Sequence, residues 1–418
     1  MLIHSASQLL TLTPGPQRGL ELGSLGMITD GAVLIEGEQI VAVGATDQLI
    51  QRYPHEPRVD ASNKVVMPGF VDPHTHAIFA GDRAAEFEMR LEGKTYLEIL
   101  AAGGGILSTV RAVRQASVEQ LIAETRPRLE RMLAYGTTTA EVKTGYGLET
   151  EAELHMLAAL LQLDREDPIE LAITFLGAHA VAPEYKGRPG EYTQVICEQM
   201  LPTVKTWWSQ KAGNRPLPFV DVFCETGAFD LDQSRCILET ARSLGFPLKI
   251  HADEFDNLGG ASLAAELEAA SADHLVATSL DDIRNLAHSN TVAVALPCTP
   301  FGLAEEHYTP AKDILAAGGL LALATDLNPG TAWCESMQFA IALACRAMGL
   351  TPAQAIAAAT INSAAAISRD DRIGSLTAGK QADLLLLNVP DYRHLGYRFG
   401  VNLVEQVMKK GRFISSRP

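Results

Sequence analysis

The chain has 418 residues, 47% apolar and 20% charged, with a formal net charge of −16. That length suits one large domain plus a smaller one, and the acidic balance argues against nucleic acid or an anionic membrane as partner, while an anionic small molecule stays compatible beside a local arginine. Six cysteines without a CxxC pair read as reduced thiols rather than a disulfide scaffold, and with neither a membrane span nor a signal-peptide pattern in the sequence a cytoplasmic protein is expected.

Residues 1–64 read as short strands and turns, with a hairpin signal in GAVLIEGEQIVAVG around Glu36-Gly37-Glu38. The stretch from about Asp370 is similar, with IGSLTAGKQADLLLLN followed by VEQVMKKGRFI. The two flanks are expected to form one small β-sandwich, from residues 1–64 and 367–418, around a domain spanning 65–366.

That middle alternates strands with helices. The candidate strands are VVMPGFVDPH, TTTAEVKTGYG, LAITFLGAHA, FVDVFCE, PLKIHAD, SADHL, TVAVALP and LLALATDLN. Eight strand–helix alternations of apolar, β-branched strands predict an α/β fold, a TIM (β/α)8 barrel. Barrel chemistry sits at the C-terminal strand ends. Here those ends carry His74 and His76, Tyr146, His179, Glu225, His251 and Glu254, His274 and Asp326.

Asp72-Pro73-His74-Thr75-His76 is the sharpest local signal. Residues two apart on a strand share a face, so both imidazoles point into the barrel mouth, where zinc or iron would accept them. The alternative is two ordinary strand-end histidines. His251 ends a second apolar strand, and Glu254 follows three residues later, a spacing that offers a ligand and a carboxylate for the attacking water. The plainer reading makes Asp253 or Glu254 a helix cap. Asp326 ends the last strand and can complete a metal shell or shuttle a proton. His274 ends the sixth strand and can orient or protonate a water. No GxSxG is present, and Gly103-Gly104-Gly105 is not a phosphate loop, which leaves a flexible loop or a lid. Trp207-Trp208 reads as surface or interface packing in a polar loop.

VMPGFVDPHTH, a later strand-end histidine, the final aspartate and GSLTAGKQADLLLLN together resemble the amidohydrolase superfamily over essentially the whole chain. GDRAAEFEMRLEGKTYLEILAAGGGI, EVKTGYGL, FLGAHAVAPEY, KIHADEF and ATDLNPGT, in that order, resemble the imidazolonepropionase family within it. The resemblance implies hydrolytic ring opening of 4-imidazolone-5-propanoate to N-formimidoyl-L-glutamate in histidine degradation, by a metal-activated water. It implies one Zn²⁺ or Fe³⁺ per chain on His74, His76, His251 and Asp326, and a homodimer. It places substrate contacts at Arg83, Tyr146, His179, Glu254, Asn328, Gly330 and Thr331. Glu254, His274 and Asp326 are the expected catalytic groups, with His179 or His274 helping to stabilise the oxyanion. Arg83 would grip the propanoate carboxylate; its alternative is a surface ion pair with Asp82 or Glu86. Some related barrels bridge two metals with a lysine on the fourth strand. Here that strand ends Phe223-Cys224-Glu225, and Lys143 lies on the second strand, which favours a single metal. The competing readings are a deaminase or deiminase of the same superfamily, acting on a small N-heterocycle or formimidoyl substrate, and a metal-free barrel serving as an interaction protein.

Overall fold

The computed structural model describes residues 1–94, 98 and 104–414. Gly103, part of the expected loop or lid, lies outside the described residues. In chain order the strands are β1 (Leu2–Leu10), β2 (Met27–Glu36), β3 (Gln39–Ala45), β4 (Arg58–Asp60), β5 (Val65–Pro68), β6 (Phe70–Asp72), β7 (Thr137–Lys143), β8 (Glu170–Ala178), β9 (Phe219–Cys224), β10 (Lys249–Ala252), β11 (Ser271–His274), β12 (Val292–Ala295), β13 (Leu321–Leu323), β14 (Leu384–Leu387), β15 (Val404–Lys409) and β16 (Arg412–Ile414).

β6 to β13 form an eight-stranded parallel sheet in sequential order, each strand pairing with the next. Strands such as Val-Ala-Val-Ala in β12 and Leu-Ala-Leu in β13 are buried throughout, because side chains from the barrel interior cover one face and helices the other. The two edges meet beyond β6 and β13. Thr75 bridges Leu327 in parallel, His76 N–H donates to Leu327 O at 2.8 Å, and Asp326 N–H donates to His74 O at 3.1 Å. The Asp72 carboxylate ties the same seam by accepting from the Thr325 N–H at 3.1 Å and hydroxyl at 2.6 Å. The first and last strands are therefore locked together at the level where His74, His76 and Asp326 emerge.

The terminal segments form a second eight-stranded sheet, β16-β15-β14-β5-β1-β2-β3, with β4 on β1. Its own apolar core includes Ile3, Leu9, Val33, Val66, Leu384 and Met408. Val65–Pro68 pairs with β1 and β14 in this sheet. Gly69 then carries the chain into the barrel so close to β7 that a Cβ there would stand 2.3 Å from the Thr138 hydroxyl. Trp207 and Trp208 lie in the helix Leu201–Lys211 rather than in a loop, and buried Trp208 donates its indole N–H to Pro216 O at 3.0 Å. Among the described residues no helix is long and apolar enough to cross a membrane.

Candidate metal-centred active site

Four of the side chains expected to bind metal converge at the barrel mouth. His74 Nε2 and His76 Nε2 lie 3.5 and 3.6 Å from Asp326 Oδ1, and His76 Nε2 lies 3.2 Å from His251 Nε2. Two imidazole ligands at roughly 2.0–2.1 Å from one tetrahedral ion would stand about 3.3–3.4 Å apart, so this spacing fits a shared cation. His74 Nε2 and Asp326 Oδ1 are buried and have no hydrogen-bond partner, an orphaned pair that a cation would satisfy. Burial, joined by neighbouring cationic groups, holds His74 and His76 well below the ordinary histidine range. Both are thus neutral imidazoles, the ligating form. The donors present fit one divalent or trivalent ion.

The candidate ligands are oriented from beneath by charges to which the sequence reading gave no role at the site. His74 Nδ1 donates to Asp273 Oδ2 at 2.6 Å, and His251 Nδ1 lies 2.9 Å from Asp221 Oδ2. The Asp273 carboxylate fixes the His74 tautomer that turns an Nε2 lone pair into the site, and the Asp221 charge stands against the Nδ1 edge of His251. Lys143 Nζ in turn meets Asp221 and Glu141 at 2.8 Å each and Asp273 at 3.5 Å. Lys249 Nζ donates to Pro73 O at 2.6 Å and to Glu141 at 2.8 Å. All five of these charged side chains are fully buried. Burial opposes the charge on Lys143, but Asp221, Glu141 and Asp273 outweigh it and hold the ammonium above its ordinary range.

Glu254 stands beside the ligands, its Oε2 3.6 Å from His274 Nδ1. Burial, then the charges of Asp326, Glu225 and Glu305, push its carboxyl well above the usual range. Glu225, read as a strand-end candidate, is committed to the loop: Oε1 accepts from Thr226 N–H at 2.8 Å and Oε2 from Phe255 N–H at 3.0 Å. It anchors the segment that presents Glu254. Non-glycine residues in the left-handed region cluster at these strand ends, at Asp253 (φ +54°), His274 (φ +82°) and Asp326 (φ +54°). Such backbone costs about 1–3 kcal/mol per residue and persists where the surroundings hold it.

One wall is aromatic. His179 stacks on His76 with ring centroids 4.6 Å apart and planes 11° apart, and Tyr146 packs 5.2 Å from His179. His179 Nδ1 lies 3.0 Å from Gly145 O, and a carbonyl only accepts, so Nδ1 carries the proton. Burial and His251 lower its pKa to about 3. The neutral ring therefore offers an Nε2 lone pair, an acceptor. This corrects the expectation that His179 stabilises an oxyanion, which needs a donor.

Across the mouth, the Asn328 carboxamide is spent inside its own loop. Oδ1 accepts from the N–H groups of Gly330 and Thr331 at 2.8 Å each, and Nδ2 donates to Asp326 O at 2.8 Å and to Thr331 Oγ1 at 2.9 Å. Asn328 thus shapes the loop that carries Gly330 and Thr331. Arg83 Nε donates to Glu86 Oε2 at 2.8 Å. Its two terminal nitrogens have no hydrogen-bond partner among the described residues. The ion pair with Glu86, the alternative reading of Arg83, is present, and it engages one edge of the guanidinium.

Residues 65–414 match the amidohydrolase family, and residues 31–55 match the bacterial imidazolonepropionase-like composite domain. The imidazolonepropionase of Herpetosiphon aurantiacus is 51% identical over 414 residues, covering 99% of this chain and 96% of its own. That of Chloroflexus aggregans is 49% identical, covering 99% and 98%. Among solved structures, a triazine hydrolase variant superposes with a TM-score of 0.75 at 15% identity, covering 100% of this chain and 95% of that one. An adenosine deaminase from Xanthomonas campestris with bound zinc does so at 0.69 and 20% identity, covering 99% and 92%. Likeness at that identity speaks to the fold alone.

Proposed function

From the premise that this chain belongs to the amidohydrolase family, among the imidazolonepropionases, we propose that it opens the ring of 4-imidazolone-5-propanoate with water to give N-formimidoyl-L-glutamate, a step of histidine degradation. One observation carries the reading. A four-donor cluster with orphaned His74 Nε2 and Asp326 Oδ1 lies at the root of the same loop onto which the Arg83 guanidinium closes at Gly330. The site thus pairs a water-activating centre with a grip for an acid side arm.

His74, His76, His251 and Asp326 would hold one Zn²⁺ or Fe³⁺ per chain. Such an ion supplies Lewis acidity and a water whose pKa falls toward neutrality. Arg83 binds the propanoate carboxylate through its terminal guanidinium nitrogens. His179 accepts a ring N–H at Nε2, and Tyr146 closes the wall beside it. Glu254 holds the attacking water and takes its proton, and a raised pKa makes this carboxylate a stronger acceptor. Oxygen adds to the ring carbonyl carbon, the ring C–N bond breaks, and Asp326 relays the remaining hydroxyl proton of the adduct to the departing nitrogen, so that the acyl group leaves as a carboxylate and the proton on Glu254 returns to solvent. His274, beside Glu254, would donate to the developing oxyanion through a ring N–H.

The test is turnover of freshly prepared 4-imidazolone-5-propanoate by metal-loaded protein, followed by loss of the ring's ultraviolet absorbance. Formimidoylglutamate formation is the expected result. Absence of turnover, or ammonia release from an aryl amine instead, would reject the reading in favour of a deaminase.

A further inference from the structure

Arg83, Glu86 and Arg90 occur at positions i, i+3 and i+7. Arg83 is the N-cap of the helix Ala84–Leu91, and the other two lie within it. This spacing sets all three on one helix face. The face looks onto the loop that follows β13. Arg90 Nη2 donates to Gly330 O at 3.0 Å. A Cβ on Gly330 would stand 2.4 Å from Arg83 Nη1, so glycine is what lets the Arg83 guanidinium close onto that backbone. The two arginines thus converge on a single residue at the mouth of the site.

The charges of Arg83 and Arg90 oppose one another. Glu86 lies between them in sequence and on the same face, and its carboxylate is crowded with donors: Arg83 Nε at 2.8 Å, Gly105 N–H at 3.1 Å and Ser108 hydroxyl at 2.9 Å. Burial and then the charge of Arg83 disfavour the charge on Arg90, with Glu86 acting the other way. An anion arriving between the arginines would relieve this repulsion, in a protein that is otherwise strongly acidic.

We propose that Arg90 is a specificity-determining residue, the second guanidinium of a two-arginine clamp that takes the carboxylate arm of the substrate together with Arg83. This deepens the proposed function and rests on it. The plainer role for Arg90 is to pin the loop through Gly330 O, and the two roles differ in what they do to ligands with and without a carboxylate. Arg90→Met keeps the chain length and removes the charge; Arg90→Lys keeps a point charge without the fork. Titration calorimetry with imidazole-4-propanoate and with 4-methylimidazole on the metal-loaded protein separates the cases without any turnover. The clamp predicts that Arg90→Met weakens imidazole-4-propanoate about 10- to 100-fold and leaves 4-methylimidazole within about threefold, with Arg90→Lys in between. In turnover, KM for imidazolonepropanoate should rise by a similar factor while kcat stays within about threefold. Equal weakening of both ligands, or no weakening of either, would overturn the clamp. A wild-type protein that binds the two ligands but opens no imidazolone ring would reject the proposed function instead, and the ligand pair would still judge Arg90.

Discussion

Lys143 and Asp221 meet at 2.8 Å on the barrel floor, both fully buried, and the same Asp221 oxygen lies 2.9 Å from His251 Nδ1. A lysine two residues removed in contact from the candidate ion thereby helps set the ring that faces it. Replacing Lys143 with Met would leave Glu141 and Asp221 without their shared cation. Breaking a buried ion network at one partner costs about 3–5 kcal/mol, and loss of an outer partner weakens metal binding about 10–100-fold. Urea unfolding and metal retention against a competing chelator measure the two effects. A Lys143→Met protein that holds metal as tightly as wild type would show that the floor serves the fold alone.

Glu254→Gln should lower kcat far more than it raises KM. The amide still hydrogen-bonds within the site but accepts no proton, and loss of a general base costs about 10²–10⁴ in rate. Steady-state kinetics check this. A near-normal kcat would move the base role to His274, whose Nδ1 is 3.6 Å from Glu254 Oε2.

The barrel was legible in its eight mainly apolar strands, and the histidine cluster in the way His74 and His251 follow the ends of such strands. The charged floor was not. A lysine or aspartate inside a strand reads as an exception to burial, and nothing local names its partner on another strand. The signal was period two: Glu141 and Lys143 alternate on β7, and Lys249 and His251 alternate on β10, so each pair faces inward. Asp273 and His274 break that rule, since neighbours should face opposite ways. The positive φ of His274 turns it back toward the site, and no sequence pattern announces that turn. The commitment of Asn328 to its own loop was equally hidden, because an Asn before Pro-Gly is as good a loop-former as a ligand contact.

Glu170 opens β8 at the end of the barrel opposite the mouth and binds elements of the C-terminal segment, with Arg372 at 2.6 Å, Arg369 at 3.0 Å and Lys409 at 3.3 Å. Burial raises its pKa, but Lys409, Arg369 and Arg372 outweigh burial and leave it well below the ordinary range. A carboxylate depressed on folding contributes stability above its unfolded pKa, about 4.3, and loses it as pH falls toward the folded value. Glu170→Gln should therefore destabilise the protein by about 3 kcal/mol at pH 7, and the gap should narrow below about pH 4. Denaturant melts of both proteins at the two pH values test this; a gap that does not change with pH would mean the ion pairs are not its source.

Under the proposed function Arg83 is a residue on which carboxylate recognition turns, and its pairing with Glu86 makes its removal doubly costly. The Arg83 and Glu86 side chains are only 19% and 13% exposed, so the carboxylate left behind is poorly solvated and faces the place where the substrate's own carboxylate would lie. Arg83→Ala therefore loses an attraction and unmasks a repulsion. Binding of the propanoate compound should weaken by about 2–3 kcal/mol, near the low end for a buried charge pair because water still reaches this one. Arg83→Lys should recover part of the loss, since an ammonium neutralises Glu86 but makes no planar fork. The double variant Arg83→Ala/Glu86→Gln should bind better than Arg83→Ala alone, because it removes the exposed negative charge. An analogue without the carboxylate should be nearly indifferent to all three changes. The measurement is a double-mutant cycle on KM and on inhibitor affinity. If Arg83→Ala left both at wild-type values, the ion pair with Glu86 would be the whole role of Arg83, and the acid side arm would have to be read by some other group at the mouth.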